Sequence, residues 1–374
     1  MKLKIALLFI LGFFVQIVMA QKAKRPQVLV YGDNLLAFAA AVQSAQSNVP
    51  TVWLREGQAP IPAFSQQGLN LDSLKQLSIV KGDRPSRLTK KKKGWAVYGK
   101  YKQLYNVHVV VDASAEQPLA SLAGIGRQEG AGALRLLHEF PASAIRTLVA
   151  SGSMADRLYG LTLSDLLRGE NDGLFTMRAV LPLLQPDHSL VPMQEAVGQA
   201  FGATAAYLAF FKTSSDQIDV RKVQTELLAH GARILPFQDI AQQDSAYRAL
   251  QQFALATVLP ALHRNEPLVF DSDKHVYYAE VQPVFDRLYT RSQLWFLDHQ
   301  GTAFTWKAFL SLVKYVGLRG DDIQQDIIAN WSTLGFTGKF DPEAFVSRYQ
   351  FAVILMRYAS PYSKAVNQKG DFVF

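Results

Sequence analysis

The sequence predicts an α/β fold followed by a helical C-terminal region, and three observations predict it. Residues 27 to 31 form a short β-rich run that passes through a one-glycine turn into the alanine-rich stretch Leu35 to Ser47, a strand, turn and helix in succession. TVWLRE at 51 to 56 is a second strand, completing a βαβ unit of the dinucleotide-binding kind. Past Gln243 the character changes to helices with aromatic and aliphatic stripes on one face.

The elements follow in order. MKLK and the apolar run IALLFILGFFVQIVMA read as a secretory signal over residues 1–20, with Val18 and Ala20 as the small residues before cleavage at Gln21. The expected location is therefore outside the cytoplasm, periplasmic or extracellular. No later stretch is apolar enough to span a bilayer, so no membrane span is expected after cleavage. GWAVYGK and LYNVHVVVDAS suit a β-hairpin feeding a buried strand, Val107 to Val111. Residues 135 to 185 mix signals, with a helical LTLSDLLRG and a strand in LFTMRAVL. A long helix is expected over Gln194 to Phe211. A second, opened by Asp219 and stopped at Gly231, places Val220, Val223 and Leu227 on one face. Thr305 opens WKAFLSLVKYV and Gly317 closes it; Asp321 or Asp322 starts IQQDIIANWSTL and Gly335 ends it.

The C-terminal part repeats itself. FDSDKHVYYAEVQPVFDRLY at 270 to 289 aligns without a gap on FDPEAFVSRYQFAVILMRYA at 340 to 359, each reading as a turn, a short capping segment and a helix. The expected organisation is a signal at 1–20, an α/β domain at 21–243 with a compressed insert at about 131–190, and a helical domain at 244–374 with two related repeats.

Composition narrows the function classes. With 374 residues, 49% of them hydrophobic, there is ample material for a large core, and with no cysteine there is neither disulfide nor thiolate ligand. The formal charge of +8 is concentrated in QKAKRP and LTKKKKGW without interleaved aromatics, which reads as solvated turns rather than a nucleic-acid surface. Seven histidines show no i, i+4 pair, so no metal site is expected. Ser153 lacks the glycine-x-serine-x-glycine elbow of a serine hydrolase. No catalytic residue is assigned by any motif.

The candidate site is the turn. In a dinucleotide fingerprint the first glycine allows the tight turn, the second lets the backbone approach the pyrophosphate, and the third lets helix and strand pack. Here these positions are Gly32, Asn34 and Ala37. A side chain at 34 projects where phosphate oxygens would sit, and Asp33 adds negative charge at a helix N-terminus that otherwise attracts anions. Glu56 ends the second strand where an acid would bind ribose hydroxyls, or is a plain surface acid.

Three segments in order, 28 to 56, VVVDASAEQPLASLAGIGRQEG at 109 to 130, and 191 to 234 with GQAFGATAA, resemble the exported bacterial FAD-dependent oxidoreductase family often labelled xanthan lyase-like. The resemblance implies a Rossmann-like, glutathione-reductase-type FAD-binding fold. In it the first turn would hold the pyrophosphate and Glu56 the ribose, with Asp112 in the family's D-A-T/S-x-x-G-D motif. Gly198, Gln199 and Gly202 would lie on the closing flavin-contacting helix. The motif departs from the family in Asp112-Ala113-Ser114-Ala115-Glu116-Gln117-Pro118, and the glycine pair after the ribose acid is reduced to QQGL around Gly68. These losses imply an eroded flavin site and a non-catalytic binding or scaffold protein. The alternative is a working flavoenzyme on an extracellular carbohydrate or small molecule. The repeats resemble surface-layer homology modules, with Val346-Ser347-Arg348 at the threonine-arginine signature and Val276-Tyr277-Tyr278 in the other copy. That likeness implies a third class, a binder of cell-envelope polysaccharide or of a protein partner there.

Overall fold

A computed structural model describes residues 25–57, 70–82, 84–125, 132–185, 187–259 and 268–374. The expected signal at 1–20 and the QQGL segment lie outside the described residues. The strands are β1 (Val28–Tyr31), β2 (Thr51–Arg55), β3 (Leu77–Lys81), β4 (Arg87–Lys91), β5 (Gly94–Tyr98), β6 (Gln103–Val107), β7 (Val109–Asp112), β8 (Arg135–Leu136), β9 (Leu148–Met154), β10 (Arg157–Thr162), β11 (Glu170–Asn171) and β12 (Leu174–Thr176). The helices of the first half are α1 (Leu35–Gln46), α2 (Pro118–Leu122), α3 (Ala142–Arg146), α4 (Leu163–Leu167), α5 (Val191–Phe211) and α6 (Val220–Ala229).

The main sheet has the order β11-β12-β7-β1-β2-β3, and all its pairings from β12 to β3 are parallel. Only the edge strand β11 runs antiparallel. Strands buried on both faces read as continuous apolar runs, and VLVY and VVVD do so because each face has its own cover. Val28, Val30, Val109 and Val111 pack on α1 and α5, while Leu29, Tyr31 and Val110 pack under Trp95, Val97 and Val107. The second cover is the three-stranded antiparallel sheet β4-β5-β6, through which the chain crosses from β3 back to β7. The predicted hairpin is therefore a three-stranded meander, and Lys90 and Lys91 of the lysine run belong to its edge strand, with the turn following at Lys92. The stretch of mixed signals folds as a second small sheet, β8-β10-β9, before the chain returns to the main sheet in the hairpin β11-β12. LFTMRAVL is strand only to Thr176 and then a 3-10 helix.

The C-terminal helices are α7 (Tyr247–Leu255), α8 (Tyr278–Leu288), α9 (Ser292–Asp298), α10 (Trp306–Gly317), α11 (Asp322–Ala329) and α12 (Arg348–Tyr358). Their apolar stripes join one core that is continuous with the helical face of the main sheet. IQQDIIANWSTL is helical only to Ala329; from Asn330 to the positive-φ Gly335 it is turns. No helix among the described residues is long and apolar enough to cross a membrane.

The repeat has three members where the sequence pointed to two. Helices α8 and α12 begin and end at matching positions of the aligned copies, and α10 is the third. Ahead of each helix one apolar residue is fully buried: Val276, Phe304 and Val346. Their backbones close a ring, Val276 N donating to Val346 O (3.2 Å), Val346 N to Phe304 O (2.9 Å) and Phe304 N to Val276 O (2.9 Å). Two residues on, Tyr278, Trp306 and Arg348 donate in the opposite sense round the ring, to Thr302 O, Ala344 O and Lys274 O. The three units are thus related by an approximate three-fold axis, with every buried backbone group in the ring satisfied.

Candidate functional site

In an open parallel sheet, ligands bind beyond the carboxyl ends of the strands, where successive connections leave in opposite directions. Here that place is the C-terminal end of β1, flanked by β2 on one side and β7 on the other. Gly32, Asn34, Ala37 and Asp112 come together there, with Glu56 at the end of β2.

The turn is shaped by the chain itself. Gly32 has φ +139°, and a Cβ on it would fall 3.0 Å from the carbonyl carbon and oxygen of Ala113. The close backbone approach that a glycine permits is therefore made to the β7–α2 loop. Trp53 Nε1 donates to Gly32 O at 2.8 Å and fixes the turn from the β2 side.

Asn34 is the N-cap of α1. Its Oδ1 accepts from Ala37 N at 2.9 Å, and its Nδ2 donates to Ala113 O at 2.7 Å. The first bond satisfies one of the helix's otherwise free N–H groups, and the second ties β1's end to β7's across the switch point. Ala37 is fully buried behind it.

The acids are bound as well. Asp33 accepts from Arg55 Nε at 3.0 Å and from Gly57 N at 2.8 Å, and Arg55, 2% exposed, also stacks on Trp53. Glu56 Oε1 meets Arg84 Nε at 3.0 Å, and Arg84 Nη1 meets Glu116 Oε2 at 2.7 Å. One guanidinium thus links the segment after β2 to the segment after β7, over the end of β1. Its pKa is raised by the hydrogen bonds to Glu56 and Glu116. Sequence reasoning passed over Arg55, Arg84 and Glu116; the signal for the first was the arginine directly before Glu56, opposite an acid in the turn.

Asp112 ends β7 and is fully buried. Its Oδ1 accepts from Ser114 Oγ at 2.8 Å, and its Oδ2 from Leu119 N (2.8 Å) and Ala120 N (3.2 Å), the first turn of α2. Burial pushes its carboxyl from 3.8 up to about 6, against the opposing pull of those hydrogen bonds. An acid whose pKa is higher in the folded chain stabilises the fold fully below its unfolded value, and loses that contribution as pH rises through the folded one. Wild type should therefore lose on the order of 2 kcal/mol relative to Asp112→Asn between pH 4 and pH 7. Urea midpoints of both proteins at the two pH values check this; an unchanged gap would refute it.

Gly198 and Gly202 lie on α5 where it crosses α1, and Gln199 is buried beside them at 7% exposure. A Cβ at 198 would meet Ala39 Cβ and Leu36 O at 2.6 Å, and one at 202 would meet Ala40 O at 2.3 Å. In the C-terminal region Arg348 is 1% exposed and spans Glu280 (3.3 Å) and Asp271 (3.6 Å), joining two copies of the repeat. Chemically, this arrangement holds elements together: the donors and acids around β1's end are engaged with partners from the chain.

No family model and no curated protein matches the chain. Among solved structures, one titled "Crystal structure of AlpK" is similar over 89% of this chain and 98% of that chain, at 13% identity and a TM-score of 0.32.

Proposed function

We propose that the protein is an exported, non-catalytic binding or scaffold protein of the FAD-dependent oxidoreductase type, in which the dinucleotide site has been closed by the chain's own side chains. The strand order 3-2-1 followed by the fourth and fifth parallel strands, with helices on one face and a small sheet on the other, supports the doubly wound dinucleotide-binding architecture. The observation that carries the loss of the cofactor is Asn34. A pyrophosphate on this fold needs the free N–H groups at the start of α1 and space beside them. Asn34 takes one of those groups and reaches across the space to Ala113. Asp33 adds a carboxylate at the same place, and Glu56, the residue for the ribose, is held by Arg84. These residues do not fit a diphosphate.

The test is flavin retention. Purified protein incubated with excess FAD and gel-filtered should carry no stoichiometric flavin absorbance; a yellow, equimolar complex would overturn the reading. Asn34→Gly separates a single obstruction from a site closed in several places. With Asp33, Arg55 and Arg84 still in position, this variant should gain no FAD. It should lose about 1 kcal/mol of stability, from the helix cap and the bond to Ala113. Tight FAD binding by the variant would mean that Asn34 alone closes the site.

A further inference from the structure

From Arg84 to Val111 the chain carries eight arginines and lysines and no aspartate or glutamate. This stretch is the β4-β5-β6 sheet with its flanks, so the fold gathers one sign of charge on one small layer. Two of the cations serve the fold itself. Arg84 bridges Glu56 and Glu116, and Lys90 meets Asp172 at 3.7 Å while lying over the Trp95 ring. Lys92 and Lys93, between β4 and β5, share a cleft with Glu170, Asp172 and Asp216, which offset them.

The other four are unopposed. Arg87, Lys91, Lys100 and Lys102 are exposed, and their side chains have neither a hydrogen bond nor an ion pair among the described residues. Arg87 and Lys91 fall on one face of β4, away from the buried Leu88, about 13 Å apart at the rise of a strand. Lysines on an edge strand such as β4 guard it against pairing with other chains. That role does not reach Lys100 and Lys102, which lie in the turn between β5 and β6.

At that turn Arg87, Lys100 and Lys102 line a cleft of about 400 Å³ with Ser86, Tyr98 and Tyr101, and no carboxylate among the described residues faces it. The Arg87 guanidinium lies 4.0 Å over the Tyr98 ring, a stacking that leaves its in-plane N–H groups free for an anion. Tyr101 projects between the two lysines at 87% exposure, with Lys100 Nζ 5.2 Å from its ring. Cations spread over a strand and a turn around one projecting tyrosine match a surface of many anions better than a single small one. They do not make a nucleic-acid platform, because each ring is already stacked under a cation. At a membrane–water interface, by contrast, tyrosine sits at headgroup level while arginine and lysine reach the phosphates.

We propose that the outer side of the β4-β5-β6 sheet docks on an anionic phospholipid surface, with a headgroup phosphate in the cleft on Arg87, Lys100 and Lys102, and Tyr101 in the interfacial layer. The contact is peripheral and spans nothing. It does not involve the turn at Asn34, so it stands or falls independently of the flavin reading.

Co-sedimentation of the exported form, from Gln21 onward and so without the apolar run at 5–20, tests this. The vesicles are phosphatidylglycerol and phosphatidylcholine in equal parts, or phosphatidylcholine alone. Binding is expected to the first and not to the second, and it should weaken as salt is raised. Each cation near an anionic surface contributes about fivefold in affinity, so Lys100→Gln combined with Lys102→Gln should raise the lipid concentration at half-binding by about thirtyfold. Lys339→Gln combined with Lys369→Gln removes the same charge from exposed lysines of the C-terminal region, and should stay within about threefold of wild type. All four lysines are exposed, so neither double variant should alter the thermal melt. Equal sedimentation with both vesicles, no binding to either, or the same loss in both double variants would overturn the proposal. So would displacement from the vesicles by a polyuronate or single-stranded DNA at equal charge concentration, which would assign the cations to a soluble polyanion.

Discussion

Phe304→Ala is expected to destabilise the protein by about 4 kcal/mol, the scale of a large aromatic removed from a core that cannot collapse around the void. Phe304 is fully buried, and it stacks on Tyr278 with ring centroids 4.0 Å apart and planes 7° from parallel. Phe351 of α12 and Phe309 of α10 lie within ring contact on its other sides. Tyr278 opens α8, so one side chain touches all three helices of the three-fold arrangement. Its backbone, meanwhile, is one third of the hydrogen-bonded ring with Val276 and Val346. The void would therefore lie where the three units meet, and no single helix can shift inward without breaking that ring. Phe304→Val, which installs the residue found at the two equivalent positions, should cost less. Chemical denaturation of the three proteins measures the difference. If alanine costs no more than 1 kcal/mol, the three units are not packed around Phe304.

That ring also shows where the sequence could be read and where it could not. Helices α8 and α12 were visible because their units match without a gap. The third unit was not, because Phe304 is 28 positions after Val276 and 42 before Val346, and an ungapped comparison cannot register unequal spacing. The strand-turn-helix from Val28 to Gln46 and the strand at Thr51 were legible because burial on both faces makes such segments uniformly apolar. The caps Asp219 and Thr305 were legible for a local reason, since their acceptors bond N–H groups two or three residues on. The site was only half legible. Asn34 is conspicuous at a glycine position, yet its second partner, Ala113, is 79 residues away. Arg84 reaches Glu56 and Glu116 only because the crossover through β4-β5-β6 brings β7 back beside β1. Pairings of that kind follow from topology, and side-chain periodicity carries no information about them.

Gly202→Val should destabilise by about 3 kcal/mol, at the upper end of what overpacking an interior contact costs. The first added carbon alone would sit 2.3 Å from Ala40 O and 2.8 Å from Gln43 Cβ. The nearest atom is backbone in the middle of a helix, so it cannot rotate away. Gly198 repeats the constraint one turn earlier against Leu36 O and Ala39 Cβ, which makes a strip of small residues on α5 facing Leu36, Ala39, Ala40 and Gln43 of α1. A glycine kept for contact with a flavin and a glycine kept for helix packing make opposite predictions in protein that carries no flavin. The first would leave the stability of that protein nearly unchanged, whereas the second would lower it by the full amount and move α1 with the Asn34 cap at its start. Equilibrium unfolding of flavin-free Gly202→Val decides between them. The packing role requires the large loss, together with greater proteolytic susceptibility around the Gly32 turn, because displacement of α1 pulls Asn34 from Ala113.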